Sequence, residues 1–167
     1  MSGLLISAAW RSSGKTTVAT GLIAGLVGRG LAVQPFKKGP DYIDPSWLSA
    51  AAGRPCRNLD PFFMPDRDAL LAAFDRAFRS PRPETPAQQP LALIEGNHGL
   101  YDAMDDDGQG STASLARSLA APVLLVVNTA RMGRSAAALV RGYQAFEPET
   151  PLRGVILNNV VRGRHED

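Results

Sequence analysis

Leu4-Leu5-Ile6-Ser7-Ala8-Ala9-Trp10-Arg11-Ser12-Ser13-Gly14-Lys15-Thr16-Thr17 is the stretch that decides how this chain is read. An apolar run breaks into a serine-rich turn, and a lysine opens the segment that follows. Strand, tight turn and helix in that order present backbone N–H groups at a helix N-terminus, where the helix dipole also favours an anion. In such a loop Lys15 reaches the outer phosphates of a nucleotide and Thr16 offers its hydroxyl to Mg²⁺. Ser13, Gly14 and Thr17 complete the expected nucleotide-binding run. The full phosphate-loop spelling asks for glycine where the chain has Ala9, so the loop taken alone leaves an ordinary serine-rich turn open. Its flanks favour the phosphate loop. Residues 3–9 read as a buried strand. Val18, Leu22 and Leu26 then recur every fourth residue with Ile23 and Val27 beside them, an apolar helix face. Gly28 and Gly30 supply the stop.

Working outward, further apolar segments at residues 31–36, 91–95, 122–128 and 154–161 read as strands. Their continuous apolar character predicts a parallel sheet covered on both faces. Helices are expected between them over residues 15–28, 45–52, 67–78, 111–120 and 133–146. The third carries Leu70, Leu71, Phe74 and Phe78 at helical spacing, and the fifth carries Ala137, Val140 and Ala145. The alternation predicts an α/β fold, doubly wound around a mostly parallel sheet. Residues 80–90 hold four prolines and read as a surface loop. Residues 154–161 read as a central strand with no covering helix after it, so the chain is expected to be the N-terminal part of a longer protein.

The 167 residues suffice for one domain with a core. Basic and acidic residues number 18 and 16, a net charge of +2, and the basic ones are scattered. That argues against a nucleic-acid surface. No apolar run is long enough to span a bilayer and no leader pattern is present, so the expected location is cytoplasmic with no membrane partner. Cys56 is the single cysteine, which excludes an internal disulfide. With His98 and His165 as the two histidines, a zinc site is not expected.

Three more segments fall where strands should end, the ligand-binding rim of an α/β sheet. The first runs Phe36-Lys37-Lys38-Gly39-Pro40-Asp41-Tyr42-Ile43-Asp44-Pro45. Two carboxylates three residues apart beside two lysines suit a Mg²⁺–phosphate site, although such a loop alone also reads as solvated ion pairs. The second is Leu91-Ala92-Leu93-Ile94-Glu95-Gly96, a strand closing on the acid that binds or orients Mg²⁺ in phosphate-loop enzymes. The third is Gly99-Leu100-Tyr101-Asp102, where Asp102 is a functional candidate. The following Asp105-Asp106-Asp107 reads as a solvated loop. Asn158 stands near the end of the last strand, placed either to read an adenine edge or to cap the strand.

Together these residues resemble the cobyrinic acid a,c-diamide synthase family, in its N-terminal ATP-binding half. The resemblance runs from Leu4 to about Val160. Its most specific part is Gln34-Pro35-Phe36-Lys37 through Gly39-Pro40-Asp41-Tyr42-Ile43-Asp44-Pro45, then Trp47-Leu48, Gly53-Arg54-Pro55 and Asn58-Leu59-Asp60. Glu95-Gly96 with Gly99-Leu100-Tyr101-Asp102 supports it, as do residues 134–140 and 154–158. The resemblance implies a dethiobiotin-synthetase-like phosphate-loop domain. It also implies ATP- and Mg²⁺-dependent conversion of tetrapyrrole carboxylates to amides through an acyl phosphate. In the family a C-terminal glutaminase domain, which these 167 residues are not expected to include, supplies the ammonia, so Cys56 is not to be taken for its nucleophile.

By the same resemblance Lys15 and Lys37 neutralise phosphate oxygens, and Thr16 with Asp41 or Glu95 holds Mg²⁺. Asp44 and Asp102 lie near the reacting groups. Tyr42, Asn58, Asp60, Leu100 and Tyr101 shape the substrate pocket, and Asn158 serves the nucleotide. The residues do not fix an oligomeric state, a homodimer being one option. The chain departs from the family pattern at Trp10-Arg11, Ser12, Lys38, Ala103 and Asn128. Glu95-Gly96-Asn97 and the loop spelling are also similar to the sirohaem amidase branch. A partitioning-type regulatory ATPase is the alternative from another class, and Trp10, standing where such switches carry a lysine, counts against it. A dethiobiotin-type ligase on a small acid is weaker still, because the run from Gly39 to Pro45 matches the tetrapyrrole enzymes.

Overall fold

The computed structural model describes residues 3–80, 90–103 and 108–160. The acidic triplet at 105–107, most of the proline-rich loop and residues 161–167 lie outside the described residues. The elements run β1 (Gly3–Ala8), α1 (Lys15–Val27), β2 (Val33–Lys38), α2 (Asp44–Ala52), β3 (Arg57–Leu59) and α3 (Arg67–Phe78). They continue as β4 (Leu91–Glu95), α4 (Thr112–Leu119), β5 (Val123–Asn128), α5 (Ser135–Phe146) and β6 (Leu152–Asn158). The six strands form one sheet in the order β3-β2-β4-β1-β5-β6 with every pair parallel.

Parallel strands need crossovers, and the helices that make them bury both faces. One face carries Ile6, Ala8, Val33, Leu93 and Val126 beneath Ala19 and Ile23 of α1 and Leu48 of α2. The other carries Leu5, Phe36, Ile94, Leu125 and Val127 beneath α3, α4 and the inner side of α5. Phe36 stacks on Phe74 at 4.7 Å between ring centres, and Phe74 on Phe78 at 5.6 Å. Such offset aromatic contacts add to area burial in fixing a helix on a sheet.

Helix ends follow local chemistry. Ser111 accepts from the Ser114 amide and caps α4, and Asp66 accepts from the Asp68 amide and caps α3. Gly14 takes a left-handed conformation (φ 93°) directly before α1, which glycine adopts without a Cβ penalty.

The structure differs from the sequence reading in particular places. β3 is an additional, three-residue strand, and β2 begins two residues later than expected and continues through both lysines. β6 is an edge strand, half-buried along its length, rather than a central one. In α1 the buried line is Lys15, Ala19 and Ile23, while Val18, Leu22 and Leu26 pack at its margins. Helix α5 keeps its apolar stripe but buries no residue fully.

Candidate functional site

From β1 the chain crosses leftward to β2, and from β4 it crosses rightward over β1 to β5. Those opposite departures open a crevice at the C-terminal ends of β1 and β4, the switch point where such sheets bind ligands. The phosphate loop leaves β1 there. Ser13 is fully buried and its hydroxyl donates to the Trp10 carbonyl at 2.8 Å. Among the described residues no acceptor receives the N–H groups of Gly14, Lys15, Thr16 or Thr17. They are the unpaired donors of a helix start, the groups with which such an end can bind an anion.

The register of β2 on β4 sets Lys37 beside Glu95, so both side chains emerge on the face covered by α1 and α2. Lys37 is 1 % exposed, and its ammonium lies 2.6 Å from Asp44 Oδ2, 3.3 Å from Glu95 Oε1 and 3.8 Å from Asp41 Oδ2. It also donates to the Gly96 carbonyl at 3.2 Å. The Thr16 hydroxyl donates to Glu95 Oε1 at 2.6 Å, while Glu95 Oε2 is buried with no hydrogen-bond partner.

Burial pushes the Glu95 carboxyl above its usual range, against the opposing pull of Lys37 and Thr16. Burial, reinforced by Lys37, lowers the Lys15 ammonium. Asp41 moves the other way. Its burial acts upward, but hydrogen bonds from the Ile43 and Asp44 amides, with Lys37, hold it below the usual value. Burial pushes the Cys56 thiol up to about 12, so it stays protonated at neutral pH.

The structure thus gathers Thr16, Lys37, Asp41, Asp44 and Glu95 at one place beside Lys15. The other candidates are differently employed. Asn58 donates to the carbonyls of Gly39 at 2.7 Å and Asp41 at 2.6 Å, which fixes the loop after β2. Asp60 accepts from the Phe62 amide at 3.0 Å. Asp102 accepts from the Gly99 amide at 2.8 Å and is itself exposed. Tyr42 is 82 % exposed beside the cluster.

Leu100 has its side chain fully buried, and its amide and carbonyl bond to Ala8 and Ala113, so it supports the rim from beneath. Tyr101 likewise turns inward. Its hydroxyl donates to the Tyr143 carbonyl at 2.6 Å and its ring stacks on Tyr143. Tyr143 in turn donates to the Ala9 carbonyl, tying α5 to the start of the phosphate loop. Asn158 bonds to the loop itself, its side-chain amide donating to the Ser13 carbonyl at 2.9 Å. Two contributors were absent from the sequence candidates. Gly96 was signalled only by following a strand-end acid, and Tyr143 carried no signal beyond a helical stripe.

Whether the residues fit Mg²⁺ turns on the orphaned Glu95 Oε2. A buried carboxylate oxygen without a donor, next to a threonine hydroxyl, is a hard-oxygen pair of the kind Mg²⁺ accepts. Among the described residues no three His, Cys, Asp or Glu side chains form a metal cage.

The sequence profile of the CobQ/CobB/MinD/ParA nucleotide binding domain, CbiA, matches residues 12–167. The chain belongs to that family. Relatives of this CbiA domain include proteins named cobyrinate a,c-diamide synthase. The one from Magnetococcus marinus is 51% identical over 163 residues, covering 98% of this chain and 33% of that protein. That from Methanosarcina acetivorans is 47% identical, covering 97% of this chain and 32% of the relative. The chain therefore spans about a third of the length of these curated relatives. Among solved structures, chloroplast FtsY from Physcomitrella patens superposes with a TM-score of 0.60 at 18% identity, covering 93% of this chain and 49% of the other. At that identity the likeness speaks for the CbiA domain's fold alone. Among the described residues no helix is long and apolar enough to cross a membrane.

Proposed function

We propose that this chain is the nucleotide-binding part of an ATP-dependent amidoligase that converts side-chain carboxylates of a tetrapyrrole of the cobyrinic acid type to primary amides. The observation that carries this reading is the meeting of an amide-lined phosphate loop with the Thr16–Glu95–Lys37–Asp44 cluster at one rim of the sheet. The shared name of the relatives supports cobyrinate over sirohaem.

A carboxylate is a poor acyl donor because its leaving group would be oxide. Its oxygen attacks the γ-phosphorus of ATP, the bond to ADP breaks, and an acyl phosphate forms. Ammonia then attacks the carbonyl carbon, phosphate leaves, and the ammonium proton passes to water or phosphate. On this reading the ammonia would come from glutamine, hydrolysed at a further, glutaminase domain; the greater length of the relatives leaves room for one. Little covalent work falls to the protein, which positions the partners and offsets negative charge. The loop amides and Lys15 seat the triphosphate. Thr16 and Glu95 would hold Mg²⁺, with Asp41 at the margin. Bound there, Mg²⁺ supplies charge neutralisation at the phosphate oxygens. Lys37, held in place by Asp44 and Glu95, presents a fixed positive charge toward the transferring group.

The substrate side is supported by an apolar rim. Tyr42 and Ile43 follow β2, Trp47 stands on α2, and Phe62 and Phe63 follow β3, all 57–82 % exposed. Exposed aromatic groups in one neighbourhood suit a large, flat, apolar ligand. Asp44, held by Lys37, and Asp102, on the loop after β4, are the carboxylates assigned to the reacting end of that ligand.

The test is an amidation assay on the full-length protein with ATP, Mg²⁺ and free ammonia, offering cobyrinic acid or sirohaem and reading products by mass. Amide formation on cobyrinic acid with matching ADP release is expected. ATP-dependent product from sirohaem alone would move the substrate, and no ATP-dependent amide from either would overturn the reading.

A further inference from the structure

Asn158 closes β6, with four strands between it and the phosphate loop in sequence, yet it touches that loop. Its side-chain amide donates to the Ser13 carbonyl at 2.9 Å. Its own backbone is fixed, because the Asn158 carbonyl accepts from the Thr129 amide at 2.9 Å and from the Thr129 hydroxyl at 3.0 Å. Thr129 is fully buried. The β5–β6 register also pairs Asn128 with Asn158, so the side chain is delivered from a braced strand end.

The peptide joining Ser13 to Gly14 is planar and trans, so its C=O and N–H point in opposite directions. A donor that holds the Ser13 carbonyl on one side therefore holds the Gly14 N–H on the other. That N–H is one of the donors with no acceptor among the described residues. The backbone here is otherwise free to turn. Ser12 and Gly14 both stand at positive φ, 59° and 93°, and Gly14 is the residue type that crosses φ/ψ space with least cost. A Cβ added to Gly14 would fall on the Asn158 amide nitrogen, so the asparagine also fills the space that a side chain at position 14 would take.

We infer that Asn158 is a positioning residue for the phosphate loop: by holding the Ser13 carbonyl it aims the Gly14 amide at the phosphates, whatever base the nucleotide carries. This rests on the phosphate-loop reading of the site and adds a residue that acts through the loop rather than on the base. An asparagine committed to the base and one committed to the loop make opposite statements about a ligand that has no base. Inorganic tripolyphosphate is that ligand.

The experiment is calorimetric titration of the protein with Mg²⁺-tripolyphosphate and with Mg²⁺-ATP, for the wild type, Asn158→Ala and Asn158→Asp. The aspartate keeps the shape but replaces the donor by an acceptor facing a carbonyl. Circular dichroism and thermal melts verify folding of each variant, and the isosteric Asp variant serves if the Ala variant does not fold. Both variants should weaken tripolyphosphate and ATP by the same factor, on the order of tenfold, the worth of one hydrogen bond. Loss of ATP affinity with unchanged tripolyphosphate affinity would make Asn158 a base contact and overturn the inference. So would an Asn158→Asp protein that binds both as the wild type does. A wild type that binds neither ligand would instead overturn the phosphate-loop reading itself.

Discussion

The Thr16 hydroxyl donates to Glu95 Oε1 at 2.6 Å. That one bond joins the first turn of α1 to the end of β4, across the crevice where the chain's crossovers part. It leaves the second carboxylate oxygen buried and without a donor. The same glutamate also pairs with Lys37, so the first turn of α1 and the strand that carries the lysine share one carboxylate.

Glu95→Gln should therefore uncouple metal from nucleotide. Mg²⁺-dependent ATP turnover is expected to fall by about 100-fold, the scale of losing one charged transition-state contact, with a higher Mg²⁺ requirement. Turnover measured across a Mg²⁺ series checks this, and an unchanged series would place the metal elsewhere.

The same substitution has a pH signature. Burial raises the Glu95 carboxyl above its ordinary value of 4.5, so the folded protein keeps a proton there that the unfolded chain has lost. The folded state then binds more protons, and stability falls as pH rises through the window above 4.5. Denaturant titrations at stepped pH should show this slope in the wild type and a flatter curve in Glu95→Gln.

Much of this site could be read in the sequence, and the parts that could not have physical reasons. The phosphate loop declares itself because strand, glycine and helix must follow in order. Lys37 and Lys38 looked like loop residues because charge usually marks solvent. Here β2 runs through them, and Lys37 tolerates burial because three carboxylates surround its ammonium. β3 is three residues long, too short to display a period, and only Leu59 of it is buried. β6 reads as central because its residues are apolar, yet strand order is set by crossovers that composition does not record. Asn158 was recognised as a strand-end amide, but which partner it meets depends on a loop 145 residues earlier in the chain.

Removing Lys37 should be costly to the fold. Lys37→Met leaves Glu95 buried and Asp44 without its closest cation, a loss of about 3–5 kcal/mol for a broken buried pair. Equilibrium urea unfolding should show a lower midpoint, with Asp44→Asn, at a partly exposed carboxylate, costing clearly less. Equal losses would mean that Lys37 is not the centre of the cluster.

Gly96 is a packing constraint of the same region. A Cβ there would lie 2.6 Å from Thr112 Cγ2 and 3.3 Å from the Ile6 carbonyl. Gly96→Ala should destabilise by about 1–3 kcal/mol through overpacking. Adding Thr112→Ser removes the nearer methyl and should recover part of that loss. A double variant no better than the single would assign the strain to the Ile6 backbone.

Lys15 should trade stability for binding. Burial depresses its ammonium, so its charge is a cost to the free protein at neutral pH, relieved only as pH rises through the lowered value. Lys15→Met should melt at the same or a slightly higher temperature than the wild type while losing nucleotide. A lower melting temperature would show that the lysine supports the fold.

The central claim is that the amide-lined loop and Lys15 seat a triphosphate. Calorimetric titration of the protein with ATP in Mg²⁺, beside folded Lys15→Met, tests it most directly. One site per chain is expected in the wild type, with affinity reduced by about 100-fold or more when the lysine's charge-assisted contacts are removed. No heat in the wild type, or the same affinity in both proteins, would contradict the account.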